Sequence, residues 1–314
     1  MRVLLIHNRN AGKGKYRCED IAGMIEEAGH LVRAVRKQDT DLERHLAQPF
    51  DLVAIAGGDG TVHKVARLMI GCSMPFTVLP LGTANNLAHS IGITGKPGSL
   101  IKGWADGTLA PFDAMKVTSP SGETVIFESA GVGLFTEAMC LALSHDEQGK
   151  KLSSKKRFDR DFRLLRRMVD TLPPIPCTIE VDGRRGRKSS VVLCEVMNSR
   201  QIGSRLVLAP EADTRDGLLD LVLVTQGGRA RLRRFMDRDP SDDHPPHLPV
   251  RQARHIRITS RARRVHLADT IEHMPPRKTP WTLSLEVLPA ELKVLIPKPA
   301  ESQGNVQGGE PDEV

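Results

Sequence analysis

The chain has 314 residues, of which 39% are hydrophobic and 26% charged, so it is long enough for about two domains and apolar enough to bury a core. Aromatic residues make up only 4%, which argues against stacking platforms for single-stranded nucleic acid. The formal net charge is +7, and residues 299–314 contain four acids and no Lys or Arg, so the remainder is more basic still. Such a charge favours anionic partners, namely nucleotides, nucleic acid or acidic membrane surfaces, with a basic protein that has no such partner as the alternative.

The cysteines and the N-terminal segment indicate the cellular compartment in which the protein works. The five cysteines are scattered, and none forms a Cys-x-x-Cys pair, which predicts reduced thiols in the cytosol. The apolar run in MRVLLIHNRNAGKGK is too short for the core of a signal peptide. No run approaches the roughly 18 apolar residues of a membrane span. We expect a cytoplasmic protein whose contact with a membrane, if it has one, is peripheral.

The first third of the sequence alternates strand-like and helix-like segments. Predicted strands cover 2–7, 31–36, 51–56 and 76–80, and predicted helices cover 18–28, 40–47, 62–70, 84–90 and 98–105. Thr40 and Glu43 form a candidate capping box at the start of the second helix. This order predicts an α/β domain with a doubly wound, largely parallel sheet, whose ligands bind at the carboxyl ends of the strands.

From about residue 111, short β-rich runs predict a second domain, a mostly antiparallel β-sandwich. These runs are 113–118, 124–129, 177–181, 190–197, 205–208, 218–224, 255–259, 263–267 and 282–287. A helix at about 153–172 interrupts them, and 236–250 has the composition of a surface loop. The expected domains are therefore 1–112 and 113–287, with a closing segment near 288–297 that can return to the first domain and a disordered tail over 298–314.

Three turns at the carboxyl ends of predicted strands carry glycine, hydroxyl and amide groups. The candidate binding residues are Asn8, Gly12 and Lys13 in the first turn, Gly57, Gly58, Asp59, Gly60 and Thr61 in the second, and Gly82, Thr83, Asn85 and Asn86 in the third. Backbone amides of glycine turns can face anionic oxygens, a lysine adds positive charge, and asparagine amides bond phosphate oxygens or ribose hydroxyls. The turns therefore predict a floor for a polyphosphate. Helix capping by Thr83 or Asn85 is compatible with that role.

Asp59 needs a separate explanation because an anion does not attract phosphate. It could hold Mg²⁺, directly or through water, or orient a lysine near the phosphates. The alternative is an ordinary strand-to-helix turn in which Asp59 caps the helix. The first turn is not a Walker A loop, since Gly-x-x-x-x-Gly-Lys-Ser/Thr is absent, and by itself it is a weak signal.

Together these residues resemble the diacylglycerol kinase catalytic-domain family, which includes bacterial lipid kinases and the sphingosine kinases. The shared marks are Asn8 with Gly12-Lys13, the turn 57–61 and the run 80–85, Pro-Leu-Gly-Thr-Ala-Asn. Residues 113–117, 130–135 and 209–220 resemble the second domain of that family, and 282–297 resemble its closing strands. The turn at 57–61 alone is shared with NAD kinases and phosphofructokinases, so it is the combination that is specific.

The resemblance implies an ATP-dependent kinase that acts on a hydroxyl of diacylglycerol, a related glycerolipid or a sphingoid base. ATP would lie in the cleft between the domains on the glycine turns, with Lys13 and Asp59 in catalytic roles. The bacterial members hold Mg²⁺ in the second domain, which by position implies Asp213, Asp216 and the backbone carbonyl of Leu218 as ligands here. A charged β-turn is the alternative for that segment.

Two positions depart from the family pattern. Residue 86 is Asn where many members carry Asp. The Asp-Gly-Glu motif that supplies the family's catalytic base is absent, and Asp269 and Glu272 are the only carboxylates in the matching stretch, 266–276. A positioned base accelerates such a reaction by roughly 10²–10⁴-fold. We expect Glu272 to take this role, with Asp269 as the second choice.

Other functions are also compatible with the sequence. An NAD kinase-like activity would use the same glycine turn, and a nucleotide-binding regulatory protein without catalysis would explain the missing motif. A nucleic-acid binder is disfavoured because aromatic interleaving and known motifs are absent. Residues 150–167 contain nine Lys or Arg against two Asp, which equally fits a helix on an anionic membrane surface and a core-packed helix with a solvated basic face.

Overall fold

The structure is a computed structural model that describes residues 1–38, 41–147, 154–203, 206–237, 247–274 and 279–299. Thr40 of the predicted capping box and almost all of the predicted tail at 298–314 lie outside these residues.

The N-terminal part is an α/β domain, as predicted. Its strands are β1 (Arg2–His7), β2 (Leu31–Arg36), β3 (Leu52–Gly57) and β4 (Phe76–Pro80), and its helices are α1 (Cys18–Glu27), α2 (Leu42–Leu46), α3 (Asp59–Leu68), α4 (Asn86–Ser90) and α5 (Pro97–Lys102), with a short 3₁₀ helix at Ala11–Gly14.

The sheet of this domain is parallel, in the order β2-β1-β3-β4. The apolar runs VLLI in β1 and LVAIA in β3 are fully buried because both faces of these central strands are covered. Parallel pairing aligns the carboxyl ends of the four strands at one edge. The three turns therefore leave the sheet on the same side.

The C-terminal part is dominated by antiparallel strands. These are β5 (Thr108–Ser119), β6 (Gly122–Ile126), β7 (Ser129–Gly133), β8 (Ile175–Val181), β9 (Arg184–Arg185), β10 (Ser189–Met197), β11 (Gln201–Ile202), β12 (Leu206–Val207), β13 (Leu219–Thr225), β14 (Val250–Ala253), β15 (His255–Ser260), β16 (Arg264–Leu267), β17 (Thr270–His273) and β18 (Trp281–Ile296). Its helices are α6 (Leu134–Glu147), α7 (Ser154–Thr171) and α8 (Arg229–Asp237), with a 3₁₀ turn at Gln226–Gly228.

Two long strands join the two parts. β5 and β18 pair antiparallel over both halves of their length, with a register shift between Leu288 and Leu292, and Val294 of β18 pairs with Phe76 of β4. The boundary expected at residues 112 and 113 thus falls inside one continuous strand. The core follows the same division, because Phe112 and Val294 pack in the N-terminal core whereas Met115 and Val287 pack between the strands of the sandwich.

Several elements differ from the sequence-based expectation. Helices α6 and α8 were not predicted, and the expected loop at 236–250 begins inside α8 and ends in β14, with 238–246 outside the described residues. Helix α3 begins at Asp59 instead of residue 62 because Gly58 is extended and the next residue is already helical. The strand expected at 124–129 is divided by a bend at Phe127 and Glu128.

Candidate active site

The three glycine turns meet at the carboxyl edge of the parallel sheet. The side-chain amide of Asn8 donates to Thr61 Oγ1 at 2.9 Å, which ties the first turn to the second. Gly58 and Gly82 approach so closely that a Cβ on Gly82 would stand 2.6 Å from Gly58 Cα, and a Cβ on Gly12 would stand 3.1 Å from the carbonyl oxygen of Leu81. Glycine is therefore required where the turns touch.

The turns enclose a polar cavity of about 670 Å³. Eight of the predicted binding residues line it, namely Asn8, Gly12, Gly58, Asp59, Gly60, Thr61, Gly82 and Thr83. The N-terminal backbone amides of the ten-residue helix α3 begin at this cavity, and unpaired amides at a helix start favour anions. The cavity has the size and polarity expected for the phosphates of a nucleotide.

Three of the other predicted residues do not line the polar cavity. Gly57 is buried beneath Thr61. Asn85 adopts a left-handed conformation (φ 51°), and its side chain closes the third turn by accepting from the Gly82 amide and donating to the Gly82 carbonyl. Asn86 is turned toward the second domain, where its Oδ1 accepts from Gln201 at 3.0 Å. The side chain of Lys13 lies outside the described residues.

A cation that the sequence reasoning missed lines the polar cavity. Lys37 directly follows β2, so it stands at the same carboxyl edge as the turns. Burial and the charge of Lys64 lower the pKa of Lys37, and Asp269 opposes this shift. The sequence offered one signal for Lys37, namely its position as the first residue after a strand of the parallel sheet.

Asp59 is the ionisable group most strongly perturbed in the site. Its Oδ1 accepts from the amide of Leu87 at the start of α4, at 3.2 Å. Burial and the nearby charge of Glu128 raise the pKa of Asp59 to about 6, whereas the Leu87 hydrogen bond and His63 oppose the shift. A carboxyl whose pKa lies near neutrality is typical of proton-transfer sites.

The two carboxylates expected as catalytic bases lie near the β16–β17 hairpin and line one cavity of about 530 Å³, together with Gly60 of the second turn and His63 of α3. Asp269 is the closer to the turn, since its Oδ2 is 3.2 Å from the position of a Cβ on Gly60. The Oε2 of Glu272 is buried without a hydrogen-bond partner. Neither lines the polar cavity of the turns.

The expected metal ligands are engaged in other contacts. Both carboxylate oxygens of Asp213 accept from Arg215, at 2.8 and 2.9 Å, and the oxygens of Asp216 accept from the Leu218 amide and from Gln252. Among the described residues, no group of three or more His, Cys, Asp or Glu is arranged to hold a metal ion. Two carboxylates and a backbone carbonyl are not such a group, so Asp213, Asp216 and Leu218 as Mg²⁺ ligands stay a prediction.

An apolar cavity of about 340 Å³ lies on the other side of Asn86. Its walls come from α6, α7 and the β11–β12 hairpin and include Phe135, Ala138, Met139, Ala142, Phe162, Leu165, Ile202 and Leu206. Its mouth is polar and includes Asn86, Glu128, Ser129 and Gln201. An apolar pocket with a few polar groups at one end suits a ligand with a hydrocarbon part and a polar head.

A buried ionisable pair forms part of the wall of the apolar cavity. His266 lines it, with its Nε2 3.2 Å from Glu195 and its Nδ1 2.9 Å from the hydroxyl of Thr136. Burial raises the pKa of Glu195, which is fully buried, and His266 opposes this shift. The pair fixes the position of the strand that precedes the Asp269 turn.

The molecule thus has a parallel α/β domain with a polar cavity, joined by paired strands to an antiparallel sandwich with an apolar cavity. Residues 2–117 match the model of the diacylglycerol kinase catalytic domain, and residues 159–296 match the model of the YegS C-terminal NAD kinase beta sandwich-like domain. The chain belongs to the diacylglycerol kinase catalytic-domain family, as its sequence motifs predicted.

Two bacterial relatives align with this chain over most of its length. A diacylglycerol kinase of Mycobacterium tuberculosis is 24% identical over 284 residues, which is 89% of this chain and 84% of the relative. One of Bacillus subtilis is 25% identical over 272 residues, or 82% of this chain and 85% of the relative.

Solved structures show the same fold. A diacylglycerol kinase structure from Bacillus anthracis aligns with a TM-score of 0.67 at 18% identity, covering 95% of this chain and 97% of the other. An NAD kinase from Archaeoglobus fulgidus in complex with ATP aligns with a TM-score of 0.51 at 13% identity, covering 95% and 94%. These likenesses confirm the predicted combination of a parallel α/β domain with a β-sandwich.

Proposed function

We propose that the protein is a lipid kinase that transfers the γ-phosphoryl group of ATP to a hydroxyl of diacylglycerol or a related lipid. The observation that carries the proposal is that two cavities of opposite character lie near the start of α4. Asp59 lines the polar cavity, and its partner in the hydrogen bond, Leu87, is adjacent to Asn86 at the mouth of the apolar cavity. A triphosphate and a lipid hydroxyl bound in these cavities would approach each other at this point.

The described residues supply the parts that such a transfer needs. Backbone amides of the glycine turns and Lys37 face the region where phosphate charge would develop, and electrostatic stabilisation with positioning dominates phosphoryl transfer. ATP would bind as its Mg²⁺ complex, and the metal would neutralise phosphate charge. The apolar walls of the second cavity would hold acyl chain and exclude water from the acceptor hydroxyl.

The test is incubation with labelled ATP, Mg²⁺ and a total lipid extract, followed by identification of the labelled product. Label in a phosphorylated lipid supports the proposal. Label in a soluble nicotinamide dinucleotide, added in parallel, would favour an NAD kinase-like activity, for which the shared fold with NAD kinases is the supporting observation. ATP binding by calorimetry with no transfer to any acceptor would instead favour a regulatory protein.

We also propose that the protein docks on anionic membranes through α6 and α7. Helix α6 exposes Leu141 and Leu143 while its other side lines the apolar cavity. Helix α7 exposes Arg163 and Arg167, and its Phe162 and Leu165 line the same cavity. Exposed apolar groups beside basic ones suit an anionic lipid surface.

Of the basic segment at 150–167, Lys150 and Lys151 lie outside the described residues. No helix in the part of the chain that the structure describes is long and apolar enough to span a bilayer.

A further inference from the structure

Glu128 lines the apolar cavity and lies beside α3, the helix that begins at the polar cavity. It occupies the bend between β6 and β7 and lines the mouth of the apolar cavity beside Asn86 and Ser129. Its charge acts on Asp59, which lines the polar cavity. No other carboxylate of the described residues both lines the apolar cavity and interacts with the phosphate-side turns in this way.

The backbone on which Glu128 stands is firmly held. Its carbonyl oxygen accepts from the amide of Asn198 at 2.7 Å, and the side-chain amide of Asn198 donates to the carbonyls of Phe127 and Asp113. Asn198 is only 1% exposed. Buried hydrogen bonds of this kind restrict the bend to one conformation, so the Glu128 side chain starts from a fixed position.

The carboxylate of Glu128 lies beside His63, but no hydrogen bond joins the two side chains. Its Oε2 is 3.5 Å from His63 Nε2 on α3, and its side chain is 12% exposed. Its Oε1 is buried and accepts no hydrogen bond. A buried acceptor without a donor is costly and requires an explanation. A turn of the carboxylate about its Cγ–Cδ bond would bring this oxygen to the apolar cavity, where a hydroxyl of a bound molecule would supply the missing donor.

The other candidate carboxylates are less well placed for an acceptor that arrives through the apolar cavity. Asp269 and Glu272 do not line that cavity, although Ala268 does. Glu272 is beside His63 and Arg67 in a different cavity. Asp59 faces the cavity that the phosphates would fill, and one of its oxygens is committed to the Leu87 amide.

We propose that Glu128, and neither Glu272 nor Asp269, is the base that accepts the proton of the acceptor hydroxyl. The assignment rests on the proposed lipid kinase function. In the step, the O–H bond breaks and the proton passes to Glu128 Oε1, while the hydroxyl oxygen forms a bond to the γ-phosphorus. The bond from that phosphorus to its bridging oxygen breaks, and its electron pair leaves with ADP. The proton then passes to water when the phosphorylated lipid departs.

The experiment compares Glu128→Gln, Glu128→Asp, Glu272→Gln and Asp269→Asn with the unmodified full-length protein, using labelled ATP and the lipid that it phosphorylates. Glutamine keeps the shape of the side chain but cannot accept the proton, so kcat should fall by about 10²–10⁴-fold. The KM for lipid and the Kd for ATP by calorimetry should change less than about threefold. Glu128→Asp should recover part of the lost kcat, while Glu272→Gln and Asp269→Asn should retain kcat within about fivefold.

Three results would overturn the assignment. The first is a normal kcat in Glu128→Gln, and the second is the large loss of kcat in Glu272→Gln or Asp269→Asn instead. The third is a Glu128→Asp variant that is as inactive as Glu128→Gln although both have the melting temperature of the unmodified protein. A failure of the proposed lipid kinase function gives a different result from these three, because the unmodified protein would then bind ATP and label no lipid. The assignment of Glu128 as the base would fail together with that function.

Discussion

At the scale of single residues, Asp59 carries an electrostatic cost that function would explain. Its carboxyl is partly buried beside the charge of Glu128, and these two causes raise its pKa to about 6 from an ordinary value of 3.8. The folded state therefore binds the Asp59 proton more tightly than the unfolded state. The free energy of unfolding therefore falls as pH rises from about 4 to about 6, because the folded protein loses the Asp59 proton over this range. Above about pH 6 the buried carboxylate is charged and destabilises the fold fully.

This cost predicts that Asp59→Asn stabilises the fold. Asparagine retains an acceptor for the Leu87 amide and removes the buried charge, so at pH 8 the free energy of unfolding should rise by up to about 3 kcal/mol. At pH 4 the gain should be small, because Asp59 is then largely protonated in the folded protein. Denaturant unfolding at both pH values measures the difference. An equal gain at pH 4 and pH 8 would contradict the assigned cause.

The contact between Gly58 and Gly82 gives a second prediction at this scale. Gly82→Ala places a methyl group 2.6 Å from Gly58 Cα and from Asn85 Oδ1, so the turns must separate. We expect a lower melting temperature and at least a tenfold weaker ATP affinity, measured by calorimetry. Gly23→Ala in α1 is the matched control, because its added Cβ meets nothing within 4 Å and alanine favours a helix, so it should leave ATP binding unchanged. Normal ATP affinity in Gly82→Ala would show that the turn spacing is not needed.

For the catalytic base, the family motif and the cavities indicate different residues, and Glu272 stays a prediction. The motif points to the stretch 266–276, in which Glu272 lines a cavity with Asp269 and Gly60. Glu128 is about 140 positions earlier in the chain, two residues before the family-like run 130–135. Its relation to Asp59 exists only because the β6–β7 bend packs beside α3, a contact that no local pattern in the sequence reports.

At the scale of elements, α6 and α7 decide what the apolar cavity can hold. Helix α7 was predicted from the regular spacing of its apolar residues, and the structure shows it at Ser154–Thr171. Helix α6 was missed because its first turn follows directly on the apolar strand β7, so strand and helix form one continuous apolar run. The cavity between the two helices was therefore not predictable from the sequence.

Filling this cavity should weaken lipid binding alone. Ala138→Trp on α6 places a large side chain into the apolar cavity, so the KM for lipid should rise by about tenfold or more while the Kd for ATP stays unchanged. Ser144→Trp, on an exposed position of the same helix, is the control and should leave the KM for lipid unaffected in detergent micelles. Steady-state kinetics with varied lipid provide the measurement. An unchanged KM in Ala138→Trp would mean that the acceptor binds elsewhere.

Charge on α7 gives the second prediction at this scale. Reversing Arg163 and Arg167 to Glu should reduce co-sedimentation with vesicles that contain anionic lipid by more than half at low salt, because about 1 kcal/mol of attraction per basic residue is lost. The control is the reversal of Arg184 and Arg185, which are exposed on the β8–β9 hairpin. Equal binding of the unmodified protein to neutral and anionic vesicles, or no dependence on salt, would rule out the electrostatic contact.

At the scale of the whole molecule, β5 and β18 make the two domains interdependent. Both strands contribute to the core of the α/β domain and to that of the sandwich. The polar and apolar cavities belong to different domains, so these strands also fix the distance between them. Rigid coupling of this kind allows two substrates to be held in register for transfer.

Interdependence predicts a single unfolding transition. Val294→Asp puts a charge at a fully buried position of β18 that pairs with both β4 and β5, and it should lower the melting temperature of the entire protein in one transition. Lys293→Gln, at the exposed neighbouring position, should change the melting temperature little. Differential scanning calorimetry measures the transitions. If the domains unfold independently, it would show two separate transitions with only one of them shifted, which would contradict the prediction.

The sequence by itself determined the elements whose signals are local: the parallel strands β1 to β4, the glycine turns at their ends and the family to which the chain belongs. A buried apolar run, a turn glycine and a short motif each act over a few residues, and those residues are adjacent in the chain. Only the tertiary structure decided how the turns touch, that Lys37 joins them, and that Glu128 lines the apolar cavity beside His63 of α3. These features depend on side chains that are distant in sequence and meet only when the two domains pack together.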